Sequence, residues 1–391
     1  MNPILVTAKE IENQLIADRR YLHQNPEIGF DLPLTATYVK TRLKEMGYEV
    51  QDICECGFVA IAGKEGGKCI LLRGDMDALP MEEKTDLPFK STNGYAHTCG
   101  HDTHTAMLLG AAQILKQYED QLEGQVKFCF QPAEETIEGA KVMVEAGVME
   151  NPHVDAVFGA HTSIPMPVGA VRCLEGPVCA SSDIFTINIT GKGSHGAMPE
   201  MGVDPINVAA HMVINLEEIL AREVSALESC VLTFGSIHSG EAPNVVPGTA
   251  TLGGTLRAFN PEVRKFAKKR LEEIMAATAA TFRAEATISY QTETPPVVNT
   301  PEFVKEMHTY IREITGEDLC ITEGPRVMGS DDFAFFSEKA QGAMFHIGMG
   351  TTEEGHDCGL HNPGVWFDER SIAICAAVYA NCCLNWLKNN K

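Results

Sequence analysis

CILLRGDMD, residues 69–77, is the stretch on which the fold turns. Its apolar run is too short for a helix and too continuous for a half-buried strand, and it stops at a glycine and two aspartates. It therefore reads as a strand covered on both faces. Working outward, THTAMLLGAAQILKQY at 103–118 has the apolar spacing of a helix. Asp102 is its expected N-cap, because a carboxylate accepts the free amides of a first turn. VKFCF at 126–130, AVFGA at 156–160 and AMFHIGM at 343–349 are three further buried-strand runs. Upstream, residues 8–22 space their apolar positions helically and HQNPEIGFDLP is a loop broken by proline and glycine. Strands alternating with helices give an α/β domain with a mostly parallel sheet. Functional groups in such a domain gather at the strands' C-terminal ends.

The middle of the chain follows a different pattern. Phe185, Ile187 and Ile189 alternate with Thr186 and Asn188, a helix follows at about 204–223, then VLTFGSIHSG and TATLGGTLRAF, a helix near 261–281, and ATISYQTET. That β-α-β-β-α-β order is a split, ferredoxin-like α+β unit. Its seams fall near 180 and 292, the second marked by TETPPVVNTP, whose paired prolines break regular structure. The expected organisation is a discontinuous domain of residues 1–179 and 293–391, interrupted by a smaller domain of residues 180–292.

Composition narrows the function. With 391 residues, 44% apolar and 21% charged, the chain is long enough for two cores and too apolar to be disordered. Its 31 basic and 53 acidic residues leave a formal charge of −22, the wrong sign for a nucleic-acid partner. The opening MNPILVTAKEIENQL lacks a basic segment followed by a sustained apolar one, and no stretch approaches about 18 uninterrupted apolar residues. Neither export nor a membrane is expected, and a cytoplasmic location is. Thirteen cysteines, scattered from Cys54 to Cys383, lack the spacing of a disulfide framework and are expected to be reduced and mostly buried. Cys54 with Cys56, and Cys382 with Cys383, have neither the spacing nor the nearby histidine of a redox or metal pair.

Ligand-type side chains recur where the strands end. Asp75 and Asp77 follow CILLR, HTCGHDTH at 97–104 precedes the helix, Glu134 and Glu135 follow VKFCF, His161 follows AVFGA, and His361 lies in GLHNPG. Any one of these has an ordinary explanation; their joint placement does not. Cys, His and Glu suit Zn²⁺ or Mn²⁺, with Co²⁺ or Ni²⁺ also compatible, while a thiolate argues against Mg²⁺ and Ca²⁺. Five ligands exceed the needs of one tetrahedral ion and point to two ions sharing a ligand. Of two adjacent glutamates, one can bind metal while the other takes a proton from water. His97 and His104 read as supporting or structural residues, and His23 has no constellation around it.

LRGDMDALPMEE, HTCGHDTHTAMLLGAA, FQPAEE, GAHT, GKGSHGAMPE, APNVVP, GTLRAF, SDDFAFF and LHNPGVWFDE together resemble the M20 metallopeptidase superfamily. The likeness is greatest to its amidohydrolase branch of aminoacylases, hippurate hydrolases and auxin-conjugate hydrolases, and runs from residue 19 to beyond residue 369. It implies a di-metal catalytic domain interrupted by a lid or dimerisation domain, and a homodimer or larger homo-oligomer. It implies Cys99, His101, Glu135, His161 and His361 as metal ligands, with Cys99 bridging. Glu134 then matches the general base, and Asp77 the aspartate that orients the centre. In the inserted domain His195 matches an oxyanion donor, with Asn244 and Arg257 as substrate-binding residues. The implied reaction is hydrolysis of the amide of an N-acyl amino acid. Ser194, Glu200 and Asp331 depart from the branch's commonest residues, which bears on the substrate pocket and leaves the ligands and the base intact. Two rivals remain open: a dipeptidase, carboxypeptidase or N-acetyl-diaminopimelate-type deacetylase, and a non-catalytic metal-binding protein on the same fold.

Overall fold

The run that opens at Cys69 is a strand, Cys69–Asp75, buried at every position. A strand covered on both faces needs apolar side chains in both directions, so it shows no alternation. The computed structural model describes residues 2–391 and places this strand inside an eight-stranded sheet. In spatial order the strands are Val50–Cys54, Gly57–Gly63, Gln125–Gln131, Cys69–Asp75, Ala156–Ser163, Gln341–Gly348, Val171–Arg172 and Cys320–Ile321. The four runs read from the sequence are the four central strands, and they pair in parallel. Antiparallel pairing is confined to the strands flanking them.

The helix His101–Gln117 covers this sheet and contacts the helices Glu12–Gln24 and Arg370–Asn389. Its Gly110 marks where they cross, since a Cβ there would lie 2.7 Å from Ala376 Cβ and 2.8 Å from Leu15 Cδ1. Glycine mid-helix costs about 1 kcal/mol against alanine, so the close approach must compensate. The Arg370–Asn389 helix is long and apolar enough to cross a membrane by length alone, yet Cys375, Ala376, Ala377, Cys382 and Cys383 are all fully buried in the core. Its two-sided burial explains its apolar character. All thirteen cysteines are free thiols.

By internal contacts the chain forms two compact units, Met1–Gly176 with Val298–Pro325 and Asp332–Lys391, and Pro177–Val297 with Arg326–Asp331. The seams read from sequence, near 180 and 292, fall a few residues inside the second unit. Its short segment Arg326–Asp331 had no sequence cue, because it docks by backbone hydrogen bonds such as Val327 N–H to Val178 O at 3.1 Å. Within the second unit the strands Ser182–Thr190, Cys230–Ser239, Thr249–Ala258 and Glu285–Thr294 form one antiparallel sheet with the first strand between the third and fourth. The helices Pro205–Leu216 and Pro261–Thr281 pack on it.

Two local readings are corrected. The single helix expected over 8–22 is two, Pro3–Glu10 and Glu12–Gln24, separated at Ile11. The first starts early because the Asn2 side chain caps it and Pro3 suits a first helical position. Asp102 is not an N-cap: the His101–Gln117 helix begins after Gly100, at φ 85° in the left-handed region, and Asp102 lies in its first turn.

Filling the helix crossing by Gly110→Val is expected to destabilise the protein by about 1–3 kcal/mol. Chemical denaturation reads this, and an unchanged midpoint would show that the three helices can move apart freely.

Candidate metal centre

The parallel strands deliver their side chains to one edge of the sheet. Asp75 ends one strand, Glu134 and Glu135 follow Gln131 at the end of the next, and His161 sits near the end of Ala156–Ser163. Cys99 and His101 flank the start of the helix that leaves this edge. Cys99 Sγ lies 3.6 Å from His161 Nε2 and 3.2 Å from His361 Nε2. His361 Nε2 is 3.5 Å from Glu135 Oε2. His101 Nε2 is 3.7 Å from Glu134 Oε2 and 3.8 Å from Glu135 Oε1. All five ligand candidates thus converge in groups that overlap at Cys99, His101 and Glu135: Cys99–His101–His161, Cys99–Glu135–His361 and His101–Glu134–Glu135.

Two of the three imidazoles are aimed by a bond on their far side. His101 Nδ1 lies 2.8 Å from Asp77 O, and His161 Nδ1 lies 2.8 Å from Thr162 O. A carbonyl oxygen only accepts, so Nδ1 carries the proton in both rings and the Nε2 lone pair faces the cluster. Asp77 also uses its side chain: Oδ1 accepts the Glu134 N–H at 3.0 Å and Oδ2 the Glu135 N–H at 3.1 Å. One carboxylate therefore holds the backbone of both glutamates. The loop it grips is contorted, with Ala133 at φ 55° and Ile137 at φ 61°, and His361 is itself at φ 61°. Such conformations cost of order 1–3 kcal/mol each in non-glycine residues and persist where surrounding contacts enforce them.

Electrostatics test whether cations fit. Burial pushes the Cys99 thiol well above the ordinary range, and His101 opposes this while Glu135 and Glu134 add to it. Burial likewise raises the Glu135 carboxyl. Burial alone would raise Asp75 too, but Arg73, His101 and His104 beside it hold it well below the usual carboxylate range. His101 Nε2 and Glu135 Oε1 are buried acceptors with no hydrogen-bond partner among the described residues. Burial works against a charge on His101, yet Asp75, Cys99 and Asp77 raise its imidazole well above the ordinary range. The cluster thus attracts positive charge at Nε2, 3.8 Å from Glu135 Oε1, and a divalent cation supplies it in place of a proton. Donors about 2.0–2.3 Å from one tetrahedral ion stand roughly 3.3–3.8 Å from each other, which is the spacing here. The residues fit divalent metal ions.

Sequence reasoning missed the support beneath the helix start. Asp102 Oδ2 accepts from Arg19 Nε at 2.7 Å and lies 2.9 Å from His23 Nδ1. Burial works against its charge, yet Arg19 and His23 hold its carboxyl far below the usual range. His23 Nε2 reaches Glu83 Oε1 at 3.1 Å, so this histidine ties the 79–98 loop to the helix that carries His101. Partners 60 and 79 residues away leave no local pattern.

The remaining candidates lie in the second unit. His195 pairs with Val245 in a short ladder, and the Gly196 N–H donates to Asn244 O at 2.8 Å, so His195 and Asn244 are neighbours. His195 is exposed, and its Nδ1 accepts the Ala197 N–H at 3.0 Å, which puts the neutral ring's proton on Nε2. Arg257, on Thr249–Ala258, donates from Nη1 to Met328 O at 3.0 Å.

Comparison with known proteins adds independent findings. The model of the family described as peptidase family M20/M25/M40 matches residues 71–385. The chain is 38% identical to the N-acetyl-L-cysteine deacetylase of Bacillus subtilis, over 95% of this chain and 87% of that one. It is 36% identical to the IAA-amino acid hydrolase ILR1-like 4 of Arabidopsis thaliana, over 95% of this chain and 86% of that one. The crystal structure of the Bacillus subtilis YXEP protein, described as a dinuclear metal binding peptidase from the M20 family, superposes with a TM-score of 0.83 at 31% identity. It covers 97% of this chain and 99% of that one.

Chelator-stripped protein is expected to melt lower than protein resupplied with Zn²⁺ or Mn²⁺. At a free ion concentration one hundredfold above its dissociation constant, each ion contributes about 2.7 kcal/mol. Scanning calorimetry with and without metal measures this, and coincident melting curves would mean that the cluster holds no ion.

Proposed function

The chain belongs to peptidase family M20/M25/M40, and from that premise we propose that it hydrolyses the amide of N-acyl amino acids to a carboxylic acid and a free amino acid. The observation that carries this reading is the Glu134–Glu135 pair, hung by both its amides from Asp77 beside Cys99, His101, His161 and His361. In this reading Cys99, His101, Glu135, His161 and His361 hold two divalent ions, Zn²⁺ or Mn²⁺ by preference, with Co²⁺ and Ni²⁺ next. Such ions, when bound, polarise the scissile carbonyl and make a neighbouring water more acidic.

Glu135 spans the cluster, facing His101 through one oxygen and His361 through the other, as a ligand should. Glu134 stands beside it, its Oε2 3.7 Å from His101 Nε2, and in this reading takes the role of base. Glu134 takes a proton from the attacking water as its oxygen bonds to the carbonyl carbon. The same carboxyl then gives the proton to the nitrogen as the C–N bond breaks. Asp77 fixes the height of this carboxylate by holding its amide. His195 stabilises the oxyanion through Nε2–H, which the Ala197 bond to Nδ1 favours. Arg257 and Asn244 serve the substrate's carboxylate and polar groups. We assign residues 177–297 a lid or dimerisation role in a cytoplasmic homodimer or larger homo-oligomer that engages neither nucleic acid nor membrane.

Glu134→Ala is expected to lower kcat by about 10²–10⁴-fold with both ions retained, and His195→Ala by roughly 10²–10³-fold with a smaller change in KM. Undiminished turnover in the Glu134 variant would leave a metal-binding protein without this chemistry. A side-by-side panel of hippurate, N-acetyl amino acids, N-acetyl-diaminopimelate and free dipeptides, on protein reconstituted with each metal, sets the substrate class. Faster cleavage of unblocked dipeptides would favour the peptidase alternative.

A further inference from the structure

Behind the atoms that face the metals lies a second line of contacts, buried throughout. The guanidinium of Arg73, 1% exposed, is ion-paired through Nη1 with Asp75 Oδ2 at 2.5 Å and donates from Nη2 to Asp332 Oδ1 at 3.0 Å. Asp75 Oδ1 lies 2.6 Å from His104 Nδ1. On its other side, His104 Nε2 lies 2.8 Å from the backbone nitrogen of Thr162. An amide N–H can only donate, so Nε2 is the acceptor and the ring's proton sits on Nδ1, toward Asp75.

Thr162 needs this acceptor because of where the strands stop. Ala156–Ser163 pairs with Cys69–Asp75 only as far as Gly159, opposite Arg73. Three residues on, the Thr162 N–H points to a side where no backbone carbonyl receives it, and the imidazole takes that place. Thr162 then acts on two ligand candidates at once. Its carbonyl accepts the His161 Nδ1–H at 2.8 Å, and its Oγ1 donates to Cys99 O at 3.1 Å. It also leaves no room above Gly100, where a Cβ would come within 2.6 Å of Thr162 Oγ1.

We propose that His104 is a positioning residue of the metal centre. Its Nε2 lone pair, oriented by Asp75 and Arg73, fixes the Thr162 peptide, and that peptide sets the His161 ring and the Cys99 backbone. The proposal rests on the reading that Cys99 and His161 hold the ions. It makes the acceptor at Nε2, and not the bulk of the ring, the property that matters.

Two replacements separate those properties. His104→Gln can present an amide oxygen near the Nε2 position, whereas His104→Phe keeps a flat ring without an acceptor. Each variant and the wild type are stripped of metal and titrated with Zn²⁺ by calorimetry against a competing chelator. The absorption of the Co²⁺-loaded forms and the melting of the metal-free forms are recorded alongside. Affinity for at least one ion is expected to fall by about 10–100-fold in the Phe variant, with an altered Co²⁺ spectrum, and to recover in the Gln variant. If the Phe variant does not fold, His104→Asn, which retains a polar atom on the Asp75 side but reaches no farther, stands in for it. Equal affinity in all variants, equal loss in Gln and Phe, or lowered metal-free melting with unchanged affinity each overturns the proposal. A wild type that binds no pair of Zn²⁺ ions overturns the metal-centre reading and this proposal with it.

Discussion

Strands that pair in parallel must all end on the same edge of their sheet, and each must be reached by a crossover from the far edge. Four strands here obey that rule side by side, and every ligand candidate in the first unit depends on it. Side chains as far apart in sequence as Cys99 and His361 meet because the polypeptide returns repeatedly to one line of strand ends. The same edge is where the backbone ladder runs out. Unpaired amides of the strand ends and loops are taken up by side chains, by Asp77 for Glu134 and Glu135 and by His104 for Thr162. The demand for hydrogen bonds at the sheet's end and the placement of the metal-facing atoms are one structural problem with one solution.

The centre is acidic and largely buried, which would be untenable without local compensation. Asp75, Asp77, Glu134 and Cys99 are all buried, and Arg73 is the guanidinium set among them. Arg73 spends its donors on Asp75, Asp332 and Gln131, so it neutralises the rear of the cluster and leaves the front to a cation. Positive charge behind and metal in front is how several acids can share a small volume.

Features carried by periodicity or by ligand chemistry were legible before the structure. The central strands showed as unbroken apolar runs, and the second unit's β-α-β-β-α-β order showed as alternation interrupted by helical spacing. Cys99, His101, Glu134, Glu135 and His161 stood out because each follows or precedes a recognisable element, and His361 because it lies in the GLHNPG stretch. What escaped was set by distant pairing. His23 looked ordinary because Glu83 and Asp102 become its partners only in three dimensions. Asp102 was misread as a cap because a carboxylate ahead of a helical pattern suits that role, and Gly100 was overlooked because its need is steric, imposed by Thr162. The left-handed backbone at Ala133 and Ile137 has no sequence cue, since neither residue favours it.

The order of strands in the sheet also dictates an order in time. Gln341–Gly348 pairs beside Ala156–Ser163, yet the whole second unit is translated between them. At about 5–20 residues per second on the ribosome, the edge of Ala156–Ser163 waits roughly 10–35 seconds for its neighbour. Throughout that wait the nascent chain presents an apolar strand with open backbone groups, the feature most prone to mispairing with another chain. His361 emerges later still, so the metal cluster cannot close until synthesis has passed that residue. For this fold, the vulnerable state is the unfinished chain.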